Sequence, residues 1–158
     1  MPFSPHPLPE RSFNMARALL IEDDKPVHNA LVDLLRLNGF TVDIASSQRD
    51  IYIRLDAADS DATPYDVILT DDCLKSGTSR MRGIEIYNVI RHDSALPMVP
   101  IIAGSQDLCF WEGIRCTSND TNLHPTPKLS RSGNVVWDDT RTLDILAVLG
   151  FIPAHAPA

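Results

Sequence analysis

Basic residues are scarce in this chain, with 14 Lys and Arg against 21 Asp and Glu for a formal net charge of −7. Only Lys25, Lys75 and Lys128 are lysines, and no basic cluster is available to neutralise a phosphate backbone, so direct nucleic-acid binding is disfavoured. Cysteine is sparse too. Cys73, Cys109 and Cys116 are odd in number and lack CxxC spacing, which argues against a disulfide framework or a metal or redox centre; reduced, mostly buried thiols are expected. No apolar run approaches the ~20 residues that cross a bilayer. The opening MPFSPHPLPE lacks the charged-then-apolar order of a secretory signal, so a soluble, cytoplasmic protein without membrane insertion is expected. What is present is ordinary for a globular protein: 44% apolar and 22% charged residues in 158 positions, enough for one domain.

Residues 1–14 hold four prolines and little core material, and read as a disordered tail, as does the Pro/Ala stretch 153–158. Between them, over residues 15–152, two periodicities alternate. The run ALLI at 18–21 reads as a buried strand that stops in the acids Glu22, Asp23 and Asp24. Val27, Leu31, Leu34 and Leu35 then recur at helical spacing and end at Asn38-Gly39, a helix-stop pair. Phe40, Val42 and Ile44 alternate as a strand does, and Ser47 with Asp50 forms a capping signal ahead of Ile51 and Leu55.

Residues 67–69 are again a short apolar strand ending in acid, at Asp71 and Asp72, followed by a loop to Gly83. Ile86, Val89 and Ile90 predict a third helix. A strand over 99–103 runs into Gly104-Ser105, and Leu108, Trp111 and Ile114 predict a fourth helix. Beyond Cys116 the pattern weakens. TNLHPTPK carries two prolines where a fifth strand is wanted, and 143–152 is the next clear helical stretch.

Near-continuously apolar strands alternating with helices imply an α/β fold with a parallel sheet covered on both faces. In such sheets the functional groups gather at the carboxyl ends of the strands, and Glu22, Asp23, Asp71 and Ser105 fall at the ends of three different strands. Carboxylates crowded together repel unless a cation compensates them, and an all-oxygen donor set suits Mg²⁺. An aspartate in such a set can also be a nucleophile toward phosphorus. Ser105 offers a hydroxyl and Lys128 a fixed cation for the phosphoryl oxygens.

The segment IEDDKPVHNALVDLLRLNGF resembles the opening of a receiver domain of two-component signalling systems, and DVILTDDCL resembles the strand carrying its phosphoacceptor; the likeness continues through PIIAGS and covers residues 16–152. In that family an aspartate precedes the acceptor by five residues, as Asp66 precedes Asp71, which makes Asp71 the acceptor and Asp72 its neighbour. Lys128 follows Ser105 by 23 residues, close to the family spacing. The resemblance implies a flavodoxin-like (CheY-like) doubly wound five-stranded parallel sheet of order 2-1-3-4-5. It implies Mg²⁺ held by Glu22, Asp23, Asp71 and the backbone carbonyl of Cys73, one acid acting through water, with Ser105 and Lys128 completing the site.

It also implies a stand-alone response regulator rather than an enzyme, phosphorylated on Asp71 by a histidine kinase or histidine phosphotransfer protein and acting on a downstream protein target. Three positions depart from the family. Lys75 stands where a proline is common, in a loop longer than usual; Pro125 stands where an aromatic residue precedes the lysine; Leu129 replaces the proline that follows it.

Each residue also has a structural reading. Asp23 and Asp24 suit a helix N-cap, Asp71 and Asp72 a loop start, Ser105 a cap, and Lys128 a solvated loop position. His28 reads as a helix-surface residue, and Trp111 and Trp137 as core or interface anchors. Two other functions stay open: a receiver-like scaffold that binds its partner regardless of phosphorylation, and a small Mg²⁺-dependent phosphohydrolase, for which no acid/base residue or substrate cap is evident.

Overall fold

The computed structural model describes residues 15–76, 79–94 and 98–154. The expected tail at 1–14, and residues 155–158 of the expected tail at 153–158, lie outside them. A six-stranded sheet is built from β1 (Ala16–Ile21), β2 (Phe40–Ala45), β3 (Val67–Asp71), β6 (Ile101–Ser105), β7 (Leu123–Arg131) and β8 (Asn134–Trp137), in the order β2-β1-β3-β6-β7-β8. Every pairing is parallel except β7 with β8. Among the described residues the helices are α1 (Lys25–Leu37), α2 (Gln48–Ser60), α3 (Gly83–His92), α4 (Leu108–Ser118) and α5 (Asp139–Val148). A separate antiparallel hairpin, β4 (Cys73–Ser76) and β5 (Ser79–Arg82), fills the long connection after β3.

The strands carry two cores because successive side chains point to opposite faces. Leu19, Ile21, Ile68 and Ile101 face α2, α3 and α4, where Ile51, Ile86, Ile90 and Trp111 meet them. Ala18, Leu20, Leu69 and Ile102 face α1 and α5, against Leu31, Leu35, Ile145 and Leu146. With both faces covered, catalytic groups can emerge only at the strand ends. Among the described residues no helix is long and apolar enough to cross a membrane.

Local chemistry fixes the boundaries. Asp24 caps α1, its carboxylate accepting from Val27 N at 3.3 Å, and the helix stops where Gly39 takes φ +89° and donates to Arg36 O. Ser47 accepts from Asp50 N at 3.1 Å while the Asp50 carboxylate accepts from Ser46 N, one residue short of a reciprocal capping box.

The fifth parallel strand does run through the proline-rich segment. Pro125 pairs with Ala103 and Pro127 with Ser105. Standing two apart, both prolines turn their missing donors away from β6; Pro127 O accepts from Asp138 N on that far side, and β8 pairs only with Lys128–Arg131. β8, absent from the expected five-stranded sheet, extends it by an antiparallel edge. Its signal was Ser132-Gly133, both at positive φ (52° and 81°), the requirement of a two-residue hairpin turn.

Three other expectations are corrected. The last helix spans Asp139–Val148 rather than 143–152: Gly150 at φ +85° ends it, and Phe151 folds back to meet Phe40 edge-on at 5.9 Å. His28 is buried instead of lying on the helix surface. Cys109 and Cys116 are exposed rather than buried, because both lie on the outer side of α4.

Candidate functional site

The carboxyl ends of β1, β3 and β6, with Lys128 from within β7, surround an open cleft of about 430 Å³ lined by Glu22, Asp23, Asp71, Asp72, Cys73 and Lys128, among others. Glu22 follows β1 directly, Asp71 closes β3 and Ser105 closes β6. The parallel register of β1 with β3 and of β3 with β6 sets these ends side by side. Glu22, Asp23 and Asp71 each offer an oxygen within 4.8 Å of the others.

Lys128 enters from β7, and its Nζ lies 2.8 Å from Asp71 Oδ1 and 3.0 Å from Glu22 Oε2. Among the described residues it is the one cation that bridges these two nearly enclosed carboxylates. Asp71 is consequently pushed up to about 8, first by burial and then by the Glu22 charge, with Lys128 pulling the other way and the Asp72 side chain adding to the rise. Burial pulls Lys128 down, but the charges of Asp71 and Glu22 and its hydrogen bonds to them together outweigh it, so Lys128 is raised and stays protonated. One ammonium does not balance this acid cluster, and the donor set is all oxygen, which fits a hard divalent cation.

The donors are unequally available. Glu22 Oε2 accepts from both Lys128 Nζ and the Trp137 indole, at 3.0 and 3.2 Å, and Oε1 accepts from Asp24 N at 3.3 Å. Asp23 Oδ2 accepts from Lys75 N at 2.7 Å, and Asp71 Oδ1 accepts from Asp72 N at 2.7 Å. Asp23 and Asp71 are therefore the acids best placed for direct contact with a metal, with Glu22 held back behind them. Cys73 lines the same cleft at the start of the β4–β5 hairpin.

Ser105 is fully buried, and its hydroxyl does not point to Asp71. It donates to Asp72 Oδ2 at 2.6 Å and accepts from Asp107 N at 2.9 Å. The structure thus brings Glu22, Asp23, Asp71 and Lys128 together and turns Ser105 toward the neighbouring acid. Two residues not anticipated at the site are Asp72 and Trp137. A buried indole opposite Lys128 across the β7–β8 ladder could have been found only by recognising the Ser132-Gly133 turn, which sets that register.

The departures from the receiver pattern acquire physical reasons here. Lys75 contributes a backbone N–H to Asp23, a bond a proline could not make. Leu129 pairs with Val136, so β7 continues as a strand beyond Lys128. No aromatic ring stands at Pro125; instead the Trp137 indole packs on Gly104, where an added Cβ would meet its Cζ2 at 2.9 Å.

No family model matches the sequence, and no curated protein does. Solved structures do match, and among them are many receiver domains. Chemotaxis protein CheY4 of Vibrio cholerae aligns with a TM-score of 0.59 at 19% identity, covering 85% of this chain and 98% of that one. The receiver domain of a Pseudomonas aeruginosa sensor histidine kinase, solved with magnesium coordinated in its active-site cleft, gives 0.59 at 20% identity, covering 85% and 97%. A signal receiver domain from Bermanella marisrubri gives 0.61 at 17% identity, covering 84% and 96%. The fold is therefore that of CheY-like receiver domains: the core order β2-β1-β3-β6-β7 is the expected 2-1-3-4-5, with β8 and the β4–β5 hairpin added.

Proposed function

We propose that the chain is a receiver module of two-component signalling that accepts a phosphoryl group on Asp71 in the presence of Mg²⁺. The observation that carries this reading is the junction of Glu22, Asp23 and Asp71 within 4.8 Å at the strand ends, with Lys128 2.8 Å from the Asp71 carboxylate. A carboxylate oxygen of Asp71 attacks phosphorus while the bond to the donor's histidine nitrogen breaks, and the departing imidazole takes up a proton. Bound Mg²⁺ supplies charge neutralisation at the transferring group. Asp23, Asp71 and the Cys73 carbonyl would hold it, with Glu22 acting through water. Lys128 changes partner from the Asp71 carboxylate to a phosphoryl oxygen and keeps its charge throughout.

The donor in this reading is a cytoplasmic histidine kinase or histidine phosphotransfer protein, and the output is altered binding of a protein target. No substrate other than the module's own aspartyl phosphate is turned over. Intact-protein mass measurement after incubation with acetyl phosphate tests it. One phosphoryl group should be gained with Mg²⁺, none without it and none in Asp71→Asn; unchanged uptake in Asp71→Asn would refute the acceptor assignment.

A second reading, a scaffold that binds its partner regardless of phosphorylation, is favoured by one observation: the Ser105 hydroxyl is already engaged by Asp72. Equal partner binding by wild type and Asp71→Asn would support it.

A further inference from the structure

Ser105 has one hydroxyl proton, which a phosphoryl group on Asp71 would draw on in the phosphoacceptor reading. In this fold the proton is committed: Ser105 Oγ donates to Asp72 Oδ2 at 2.6 Å, a short charge-assisted bond. The oxygen's acceptor side is also engaged, by Asp107 N at 2.9 Å, so the hydroxyl cannot serve a second acceptor without giving up Asp72.

Asp72 is itself held in place. Its N–H donates to Asp71 Oδ1 at 2.7 Å, its carbonyl accepts from Gly83 N at 2.7 Å at the start of α3, and its side chain borders the same cleft. Ser105 is completely enclosed, so its hydroxyl has no solvent acceptor to turn to, while the Asp72 end of the bond is half-buried at the cleft.

We infer that Asp72 is a positioning residue that reserves the Ser105 hydroxyl, its carboxylate standing where a phosphoryl oxygen on Asp71 would have to compete. This rests on the phosphoacceptor reading and deepens it. Two effects act in the same direction. Loading Asp71 requires the Ser105–Asp72 bond to be exchanged for a Ser105–phosphoryl bond, and it brings the phosphoryl charge beside a further carboxylate. Asp72 therefore lowers occupancy of the phosphorylated state. The bland alternative is that Asp72 merely satisfies a buried serine or contributes only its charge.

Beryllium trifluoride with Mg²⁺, a non-covalent stand-in for the phosphoryl group, separates these cases when its binding is followed by tryptophan fluorescence in the full chain. Asp72→Ala should bind it about tenfold more tightly than wild type. The isosteric Asp72→Asn, which keeps an acceptor for Ser105 but no charge, should recover part of that gain and serves if the alanine variant folds poorly. The gain should shrink to twofold or less when Asp72→Ala is combined with Ser105→Ala, because the released donor is then absent.

Equal affinity in wild type, Asp72→Ala and Asp72→Asn would overturn the inference. An undiminished gain in the Ser105→Ala background would also overturn it, leaving a purely electrostatic effect. Absence of beryllium trifluoride binding in every variant, with Mg²⁺ still bound, would instead refute the phosphoacceptor reading and the inference with it.

Discussion

The two sides of the cleft are built differently. On the side made by β1 and β3, Glu22, Asp23 and Asp71 converge as three acids at adjacent strand ends. On the side made by β6, β7 and β8, the hydroxyl of Ser105 is turned to Asp72, Lys128 is shared between Glu22 and Asp71, and Trp137 from the added strand reaches across to Glu22. The acid side follows from strand termini alone. The opposite side depends on long-range partners, so it is where the scaffold can be rewired while the acid cluster stays in place.

That contrast is sharpest at Lys128, which contacts both sides. Its side chain is 8% exposed and that of Glu22 1%, so deleting the cation leaves enclosed carboxylates uncompensated. Lys128→Ala should slow phosphoryl uptake from acetyl phosphate on the order of 100-fold while Mg²⁺ affinity falls little, since the metal donors remain. Rate and affinity measured on the same preparation check this, and a comparable loss of both would erase the distinction between the two sides.

Trp137 comes from the rewired side and reaches the acid side through its bond to Glu22. Trp137→Phe keeps a ring against Gly104 but removes the N–H held 3.2 Å from Glu22. A hydrogen bond to a charged group is lost, with an expected cost of about 1.5 to 3 kcal/mol. Urea unfolding reads this directly, and an unchanged midpoint would mean that Trp137 only fills space.

Burial and the Glu22 charge on the acid side dominate the pH dependence, with Lys128 from the opposite side pulling against them. With Asp71 pushed up to about 8, Mg²⁺ must displace a proton below that pH. Its affinity should rise about tenfold per pH unit toward about 8 and then level off. In the metal-free protein the sign is opposite for stability. The folded state holds the extra proton between the ordinary value of 3.8 and about 8, so stability falls as pH rises through that interval. Magnesium titrations and melting curves across that range test both statements, and flat profiles would show that Asp71 is already ionised at neutral pH.

How far the sequence reached follows the same division. Leu19, Ile21 and Ile68 announce their strands by unbroken apolar character, and the acids after them announce the site, because a doubly covered sheet has nowhere else to place charge. Asp24 and Gly39 mark the ends of α1 for purely local reasons. The second half resisted because its order is tertiary. Pro125 and Pro127 argue against a strand unless it is known that their missing donors face away from β6 and that β8 pairs only beyond them, and Trp137 joins the cleft only through the register of a hairpin. The direction of the Ser105 hydroxyl is likewise a three-dimensional fact: it lies 33 positions from Asp72.

The central claim is that Asp71, and not the adjacent Asp72, carries the phosphoryl group. Reductive trapping of the acyl phosphate with borohydride, followed by peptide mapping, reads the modified side chain itself. The account predicts conversion at Asp71 alone, dependent on Mg²⁺. Conversion at Asp72, or at neither aspartate under conditions where the protein gains the mass of a phosphoryl group, would contradict it.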